Sequence, residues 1–550
     1  MLYKKFIHGK TDYVLYEDLK ENFLIKIPEK FNFAFDVVDE YAKTEPNRRA
    51  LVWCNDQGEE KIFNFSQLKE EVDKTASFLI AQGIKKGDHV MLILRRRYEF
   101  WFFLLALHKI GAVAVPATYQ LLQKDIEYRN NAANIKMIVS LDNKELQTQI
   151  ELAVESSPTV EKLVTIGTDR PNWISFYKEI PEEIIPFSKE TGPRNQDIML
   201  LYFTSGTSGN PKMIQHNYTY PLGHIVTAKY WQQVVDGGLH LTVAETGWAK
   251  AVWGKIYGQW LAGSAVFAYD MDSFVPGKLL EKMEKYQVTT FCAPPTIYRY
   301  LIKQDLSKYN LSSLQHCTTA GEALNDEVYN KFFQQTGLKL KEGYGQTELT
   351  LAIGNFNGME IKPGSMGKVA PGYNIDIVDS TGKSCDVGET GEIVIPLKTG
   401  FPFGMFSGYY NDEELSKKAF SNDLYHTGDT AYRDSDGYFW FVVRPDYMIK
   451  LSEFSIWPFV VERTVITHRA GVDCAVTGVL DEKRGQLVKA TIVLAPGFEP
   501  SRELEHEIQY FVKHQTAPYK FPRIIDFVKE LPKTISGKIR HVEIREKDNK

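Results

Sequence analysis

Within these 550 residues the stretch richest in usable chemistry is Thr204-Ser-Gly-Thr-Ser-Gly-Asn-Pro-Lys212. Gly206 and Gly209 open backbone angles closed to other residues. Thr204, Ser205, Thr207 and Ser208 offer hydroxyls, and Lys212 adds a positive charge. Exposed N–H groups, small donors and a cation in one turn suit an oxyanion, with a phosphate chain the first candidate. The spacing is not that of the Walker A loop. On residue types alone such a cluster is more often a solvated loop than a nucleotide site, so it needs support from the rest of the chain.

Four further stretches concentrate turn formers, donors and charges. In Ala320-Gly-Glu-Ala323 a glycine between small residues lets a flat ligand approach the backbone. Tyr344-Gly-Gln-Thr-Glu348 brings an aromatic ring, a hydroxyl and a carboxylate into one turn, although a turn with a capping glutamate reads the same way. The others are Tyr425-His-Thr-Gly-Asp429 and Leu531-Pro-Lys-Thr-Ile-Ser-Gly-Lys538, whose final lysine taken alone is an ordinary surface residue.

In this order and at these separations the five stretches resemble the core motifs of the acyl-adenylate-forming enzymes: acyl-CoA synthetases, peptide-synthetase adenylation domains and beetle luciferases. The resemblance runs from Phe31-Asn-Phe-Ala-Phe-Asp to the C-terminal lysine motif. Thr246-Gly-Trp248, Phe406-Ser-Gly-Tyr409 and Thr516-Ala-Pro-Tyr-Lys520 look most like the medium-chain acyl-CoA synthetase and benzoate-CoA ligase branch.

The resemblance implies an ATP-dependent ligase that joins a carboxylate to the α-phosphate of ATP, releases pyrophosphate, and passes the acyl group to CoA. It assigns the ATP phosphates to Thr204, Ser205, Gly206, Thr207, Ser208, Gly209 and Lys212, with Thr347 beside them and Glu348 on Mg2+. Tyr344 would stack on the adenine, Gly321 and Glu322 would line the base pocket, and Ala323, Gly345 and Gln346 would belong to the same ATP/AMP site. Asp429 would accept the ribose hydroxyls, with Arg444 close by. Lys538 would bridge the carboxylate and the α-phosphate, and Asp446 would be the hinge about which the C-terminal domain turns. Trp248 and Gly345 would line the acyl pocket. Acetate-selective relatives carry a tryptophan where this chain has Gly345, so the pocket is expected to take medium-chain fatty or aromatic monocarboxylates.

After the hinge the sequence departs from the family pattern. Tyr447 replaces a second aspartate, Glu453 replaces the glycine beside which pantetheine runs, Ser455 replaces an arginine that meets CoA phosphate, and Trp457 follows Ile456. A charge-assisted contact of that kind contributes roughly 1.5 to 3 kcal/mol, so altered CoA affinity is expected. The CoA-binding candidates are Glu453, Phe454, Ser455, Arg484 and Lys520. Two other functions compete: a ligase that stops at acyl-AMP or uses a non-CoA acceptor, and a catalytically silent nucleotide-binding regulator. Retention of Lys538, Glu348, Asp429 and Lys212 speaks against the latter.

The elements that must position these residues alternate along the chain. Helical periods at 35–41 and 65–83 alternate with strands at 50–53 and 89–94, and a strand at 198–203 runs into the glycine loop, with a helix expected beyond it. This implies an α/β fold: a large N-terminal domain (1–445) of stacked α/β subdomains with a small β-rich subdomain near 362–445, then a small mobile α+β C-terminal domain (446–550). A formal charge of −5 offers no electrostatic case for nucleic acid. The apolar run from Phe100 is broken by His108-Lys109 and is too short for a membrane span. Five scattered cysteines suggest a reducing compartment, and the acidic, arginine-poor N-terminus suggests the cytoplasm.

Overall fold

The computed structural model describes residues 1–204, 211–442, 449–451, 454–456, 458–481, 485–516, 519–533 and 539–548. Two large sheets form the body of the N-terminal part. In the nine-stranded sheet, Arg49–Asn55, Ala265–Asp270, Leu239–Thr242, Thr290–Ala293, His316–Ala320 and Leu340–Tyr344 run parallel side by side. Its edges, Glu60–Asn64 on one side and Ile353–Gly354 with Lys368–Val369 on the other, are antiparallel. The seven-stranded sheet is parallel from Ile174–Ser175 to Ile198–Thr204 and closes with Lys212–Asn217 as an antiparallel edge.

Between the sheets, the helix Glu99–Ile110 buries nearly every side chain, which is why its sequence reads as one apolar run. Gly111 ends it at φ +80°, a left-handed cap that only glycine adopts without strain. The helix Phe65–Ala81 starts at Asn64, whose side chain accepts from the Gln67 N–H while Gln67 accepts from the Asn64 N–H.

A four-stranded antiparallel sheet follows, in the order Asp376–Val378, Gly391–Pro396, Leu424–Arg433 and Phe439–Val442. The last sheet joins Phe454–Ile456, Ile449–Leu451, Gly485–Leu494 and Gly471–Asp481, with Ile524–Val528 parallel to Gly485–Leu494. Helices Pro458–Thr467 and Arg502–Gln515 cover it over a separate core that includes Val461, Val465, Val476, Ile492 and Ile508.

The mixed α/β architecture expected from the alternation is the one found. One local expectation is corrected. The glycine loop leads into a strand, Lys212–Asn217, and the helix Tyr220–Ile225 begins only after it. Along Lys212–Asn217 the buried residues are Ile214 and His216, so the burial period is two and not that of a helix.

Candidate active site

The phosphate-type loop is therefore the turn of a β-hairpin. Thr204 and Lys212 face each other across its base, and residues 205–210, including Ser205, Gly206, Thr207, Ser208 and Gly209, lie outside the described residues. Alternation puts Lys212, Ile214 and His216 on one face of the return strand. That strand also pairs outward: Ile214 bridges Tyr409, and the Tyr410 N–H donates to the Met213 carbonyl at 2.8 Å.

Tyr409 thereby meets two of the predicted residues. Lys212 Nζ lies 5.3 Å from its ring centroid, and its hydroxyl donates to Glu348 Oε1 at 3.0 Å. The Phe406 N–H holds the Glu348 carbonyl at 2.8 Å. Burial pushes the Glu348 carboxyl above the usual range, and the Tyr409 hydroxyl and Lys212 charge pull against that rise. His216 reaches the Thr347 carbonyl from the same strand face. Glu348 is thus held from two directions by the strand that returns from the loop.

Tyr344 ends a parallel strand, the usual place for a ligand site in an open α/β sheet. Its hydroxyl donates to Asp429 Oδ2 at 2.9 Å, and Gln346 Nε2 donates to the same oxygen at 2.6 Å and to the Thr427 carbonyl at 2.9 Å. Tyr425 completes the knot by donating to Gln346 Oε1 at 2.9 Å. Two motifs some eighty positions apart in sequence thus share one carboxylate. Burial and the Asp429 charge drive the Tyr344 phenol well above its ordinary pKa, so it stays a donor.

Gly321 sits at φ +103°, and a Cβ there would meet Lys250 Nζ at 3.0 Å. Lys250 donates to the Ala320 carbonyl. Glu322 accepts from the Thr296 hydroxyl at 2.9 Å, and Ala323 is exposed.

Around the expected acyl pocket the structure revises the reasoning from Gly345. A Cβ at Gly345 would stand 2.4 Å from the ring of Trp253 and 2.4 Å from the Thr350 carbonyl, so the space there is filled. A Cβ at Gly343 would likewise meet Trp231 at 2.7 Å. The two glycines flanking Tyr344 let two tryptophans, edge-to-face at 6.1 Å, lie against the strand. Trp253 is 7% exposed. Trp248 is half-buried and opens the short helical turn Ala249–Ala251, with its N–H on the Glu245 carbonyl at 3.1 Å.

Lys538, Arg444, Asp446, Glu453 and Arg484 lie outside the described residues. Phe454 and Ser455 belong to a strand whose register pairs them with Leu451 and Lys450. Lys520 is half-buried in the C-terminal part, its Nζ 5.9 Å from the Tyr519 ring centroid. Sequence reasoning missed Lys250, Trp253, His216 and Arg299. Lys250 and Trp253 sit only two and five positions after Trp248, but nothing in their types separates them from core and surface residues.

No group of three or more His, Cys, Asp or Glu side chains forms a metal cluster among the described residues. A lone half-buried carboxylate, Glu348, next to a phosphate-type hairpin fits Mg2+, which binds through one or two carboxylates, water and phosphate oxygens.

Sheet order, hairpin and carboxylate knot together define a nucleotide-type α/β ligase site with a small C-terminal domain. The AMP-binding enzyme model matches residues 38–410, and the AMP-binding enzyme C-terminal domain model matches residues 460–538. The chain belongs to the AMP-binding enzyme family. It is 39% identical to the mitochondrial acyl-coenzyme A synthetase ACSM3 of Rattus norvegicus, over 97% of this chain and 93% of that protein. The crystal structure of the anthranilate CoA ligase AuaEII in complex with anthranoyl-AMP superposes with a TM-score of 0.86 at 28% identity, covering 95% of this chain and 98% of that one. A benzoate CoA ligase from Burkholderia xenovorans LB400 gives a TM-score of 0.81 at 25% identity, covering 94% and 100%.

Proposed function

We propose that this chain is an AMP-forming acyl-CoA synthetase. A carboxylate oxygen attacks the α-phosphorus of ATP and pyrophosphate leaves. The CoA sulfur then attacks the acyl carbon, releasing AMP and a proton. The observation that carries this reading is the pair of linked knots, Tyr344–Asp429–Gln346 and Lys212–Tyr409–Glu348, at the ends of adjoining elements.

In this reading Asp429 exchanges its Tyr344 and Gln346 donors for the ribose hydroxyls, and the Tyr344 ring borders the base. Lys212 and the hairpin turn hold the phosphates that leave. Glu348 would hold Mg2+, which supplies positive charge to the phosphate oxygens. Lys538 brings its ammonium to the attacking carboxylate and the α-phosphate. Medium-chain fatty and aromatic monocarboxylates are the proposed acids; the names of the anthranilate and benzoate CoA ligases support the aromatic part, and Trp253 sets the limit on their size.

Pyrophosphate exchange over a panel from acetate to octanoate with benzoate and anthranilate, repeated with CoA and thioester detection, tests the whole. Exchange followed by thioester supports the synthetase. Exchange without thioester would move the reading to a non-CoA acceptor, for which Glu453, Ser455 and Trp457 are the motive. Nucleotide binding with no exchange for any acid would make the chain a regulator. Lys538→Ala should abolish exchange while sparing thioester formation from supplied acyl-adenylate; equal loss of both would remove its assigned role.

For the compartment we propose the cytoplasm, supported by five buried free thiols that suit a reducing milieu. Cell fractionation decides between this and the mitochondrial setting of the relatives named ACSM3.

A further inference from the structure

A chain of charge joins the base-pocket motif to the C-terminal domain. Arg299, on the helix Pro295–Leu301, donates through Nη2 to Thr296 Oγ1 at 2.7 Å and to Asp473 Oδ1 at 3.0 Å. The Thr296 hydroxyl in turn donates to Glu322 Oε2 at 2.9 Å, and that oxygen stands 3.6 Å from the same Nη2. Across the interface Asp473, on the strand Gly471–Asp481, is 1% exposed and also meets Lys533 Nζ at 2.7 Å. Lys533 lies in the stretch that leads to Lys538 and bridges Ile539 across it.

The surroundings make these charges decisive for the contact. A cleft of about 450 Å3, lined by Gln120 and Tyr300 on one side and Asp473, Leu531 and Lys533 on the other, includes Asp473 of the pair in its wall. A second tie is also polar: Arg463 pairs with Asp326, and the Asn325 side chain donates to the Arg463 carbonyl at 3.2 Å. Any rotation of the C-terminal domain away from the helix Pro295–Leu301 would leave Asp473 with Lys533, a residue of its own domain. Arg299 would keep Thr296 and, as its carboxylate partner, Glu322. The guanidinium therefore has one partner that moves with the C-terminal domain and one that stays with the base pocket.

We propose that Arg299 is a positioning residue that couples the base pocket to the orientation of the C-terminal domain, by sharing its guanidinium between Glu322 and Asp473. The coupling rests on the reading of Glu322 as a border of the adenine site. A nucleotide that reorients Glu322 changes its hold on Arg299, and through Asp473 and Lys533 the change reaches the segment carrying Lys538.

The test uses the full chain with one dye on Lys124→Cys and another on His506→Cys, both exposed positions, while the five native cysteines are buried. Energy transfer is read without ligand and with ATP. Arg299→Met and Asp473→Asn should each shift the ligand-free distribution, and the double variant should shift it no further than either single one. Each should also change the ratio of pyrophosphate exchange to thioester formation from supplied acyl-adenylate by about tenfold. Thr296→Val, which keeps the ion pair, should leave the ligand-free distribution as in the parent and blunt its response to ATP. Arg299→Lys should restore part of the parent distribution and guards against a misfolded Met variant. Additive shifts, an unchanged distribution, or equal loss of both half-reactions would overturn the proposal. If the parent fails to bind ATP, the synthetase reading falls, and the ligand-free arm still decides whether Arg299 and Asp473 hold the domains.

Discussion

His216 Nε2 donates to the backbone carbonyl of Thr347 at 2.8 Å, tying the strand that returns from the phosphate hairpin to the turn that carries Glu348. A carbonyl only accepts, so Nε2 carries the proton. Burial lowers the imidazole pKa to about 3, which keeps the ring neutral, and the ring stacks on Tyr220 at 3.7 Å. His216→Phe keeps the ring and removes the donor, at a cost of about 1 kcal/mol for a hydrogen bond lost at a half-buried carbonyl. In the synthetase reading the KM for Mg·ATP should rise about tenfold, while calorimetric binding of Mg·ATP weakens in parallel. A drop in Tm with unchanged KM would reduce the bond to a structural one.

Trp253 and Gly345 compete for one volume. Gly345→Ala should lose most activity, since the new methyl meets the Trp253 ring and the Thr350 carbonyl at 2.4 Å each. Trp253→Leu should do the reverse, raising kcat/KM for longer or bulkier acids relative to the shortest, at a stability cost of about 1 to 3 kcal/mol. An unaltered acid profile in a folded Trp253→Leu variant would take the tryptophan out of the pocket.

Tyr409→Phe isolates the hydrogen bond that restrains Glu348. Burial raises this carboxyl and the Tyr409 hydroxyl lowers it, so the variant's carboxyl should titrate higher still. Binding of Mg2+ needs the ionised form, which disappears as pH falls through the pKa. The acid limb of pyrophosphate exchange should therefore move upward by about one pH unit. An unmoved limb would mean that Glu348 does not limit the reaction.

Glu342 is a buried carboxylic acid whose pKa burial raises to about 8. The Leu324 N–H meets its Oε1 at 3.4 Å, while Oε2 has no hydrogen-bond partner among the described residues. Between its ordinary value of 4.5 and about 8 the folded chain holds a proton that the unfolded chain has released, so stability falls as pH rises through that window. Glu342→Gln removes the titration. Its advantage in Tm over the parent should grow from pH 5 to pH 8, and a constant difference would contradict the assignment.

The sheets were largely legible because buried parallel strands write themselves as short apolar runs bounded by glycine and proline, as at His89–Ile93 and Ile198–Thr204. The helix Glu99–Ile110 was equally clear, since Gly111 marks its end. The return strand Lys212–Asn217 was not, because its alternation is carried by Ile214 and His216 alone and a mixed apolar and polar stretch of six residues also suits a helix start. In the site, contiguous motifs were readable, whereas Arg299, Lys250 and Trp253 act through neighbours distant in sequence. What lies against Gly345 was hidden for the same reason: a glycine reports a missing side chain, and only the fold shows Trp253 beside it.

The hairpin also bears on how this chain can change by insertion and deletion. With Thr204 set opposite Lys212, the ladder is closed at the base of the turn, so a change in the number of residues between them would alter the phosphate contacts assigned to the turn but not the ladder's register. Removing one residue between Lys212 and His216 instead would put the two on opposite faces, so that they could no longer meet Tyr409 and Thr347 at the same time. A change of length in the turn leaves the ladder paired, whereas one in the strand behind it breaks the alternation on which both contacts depend.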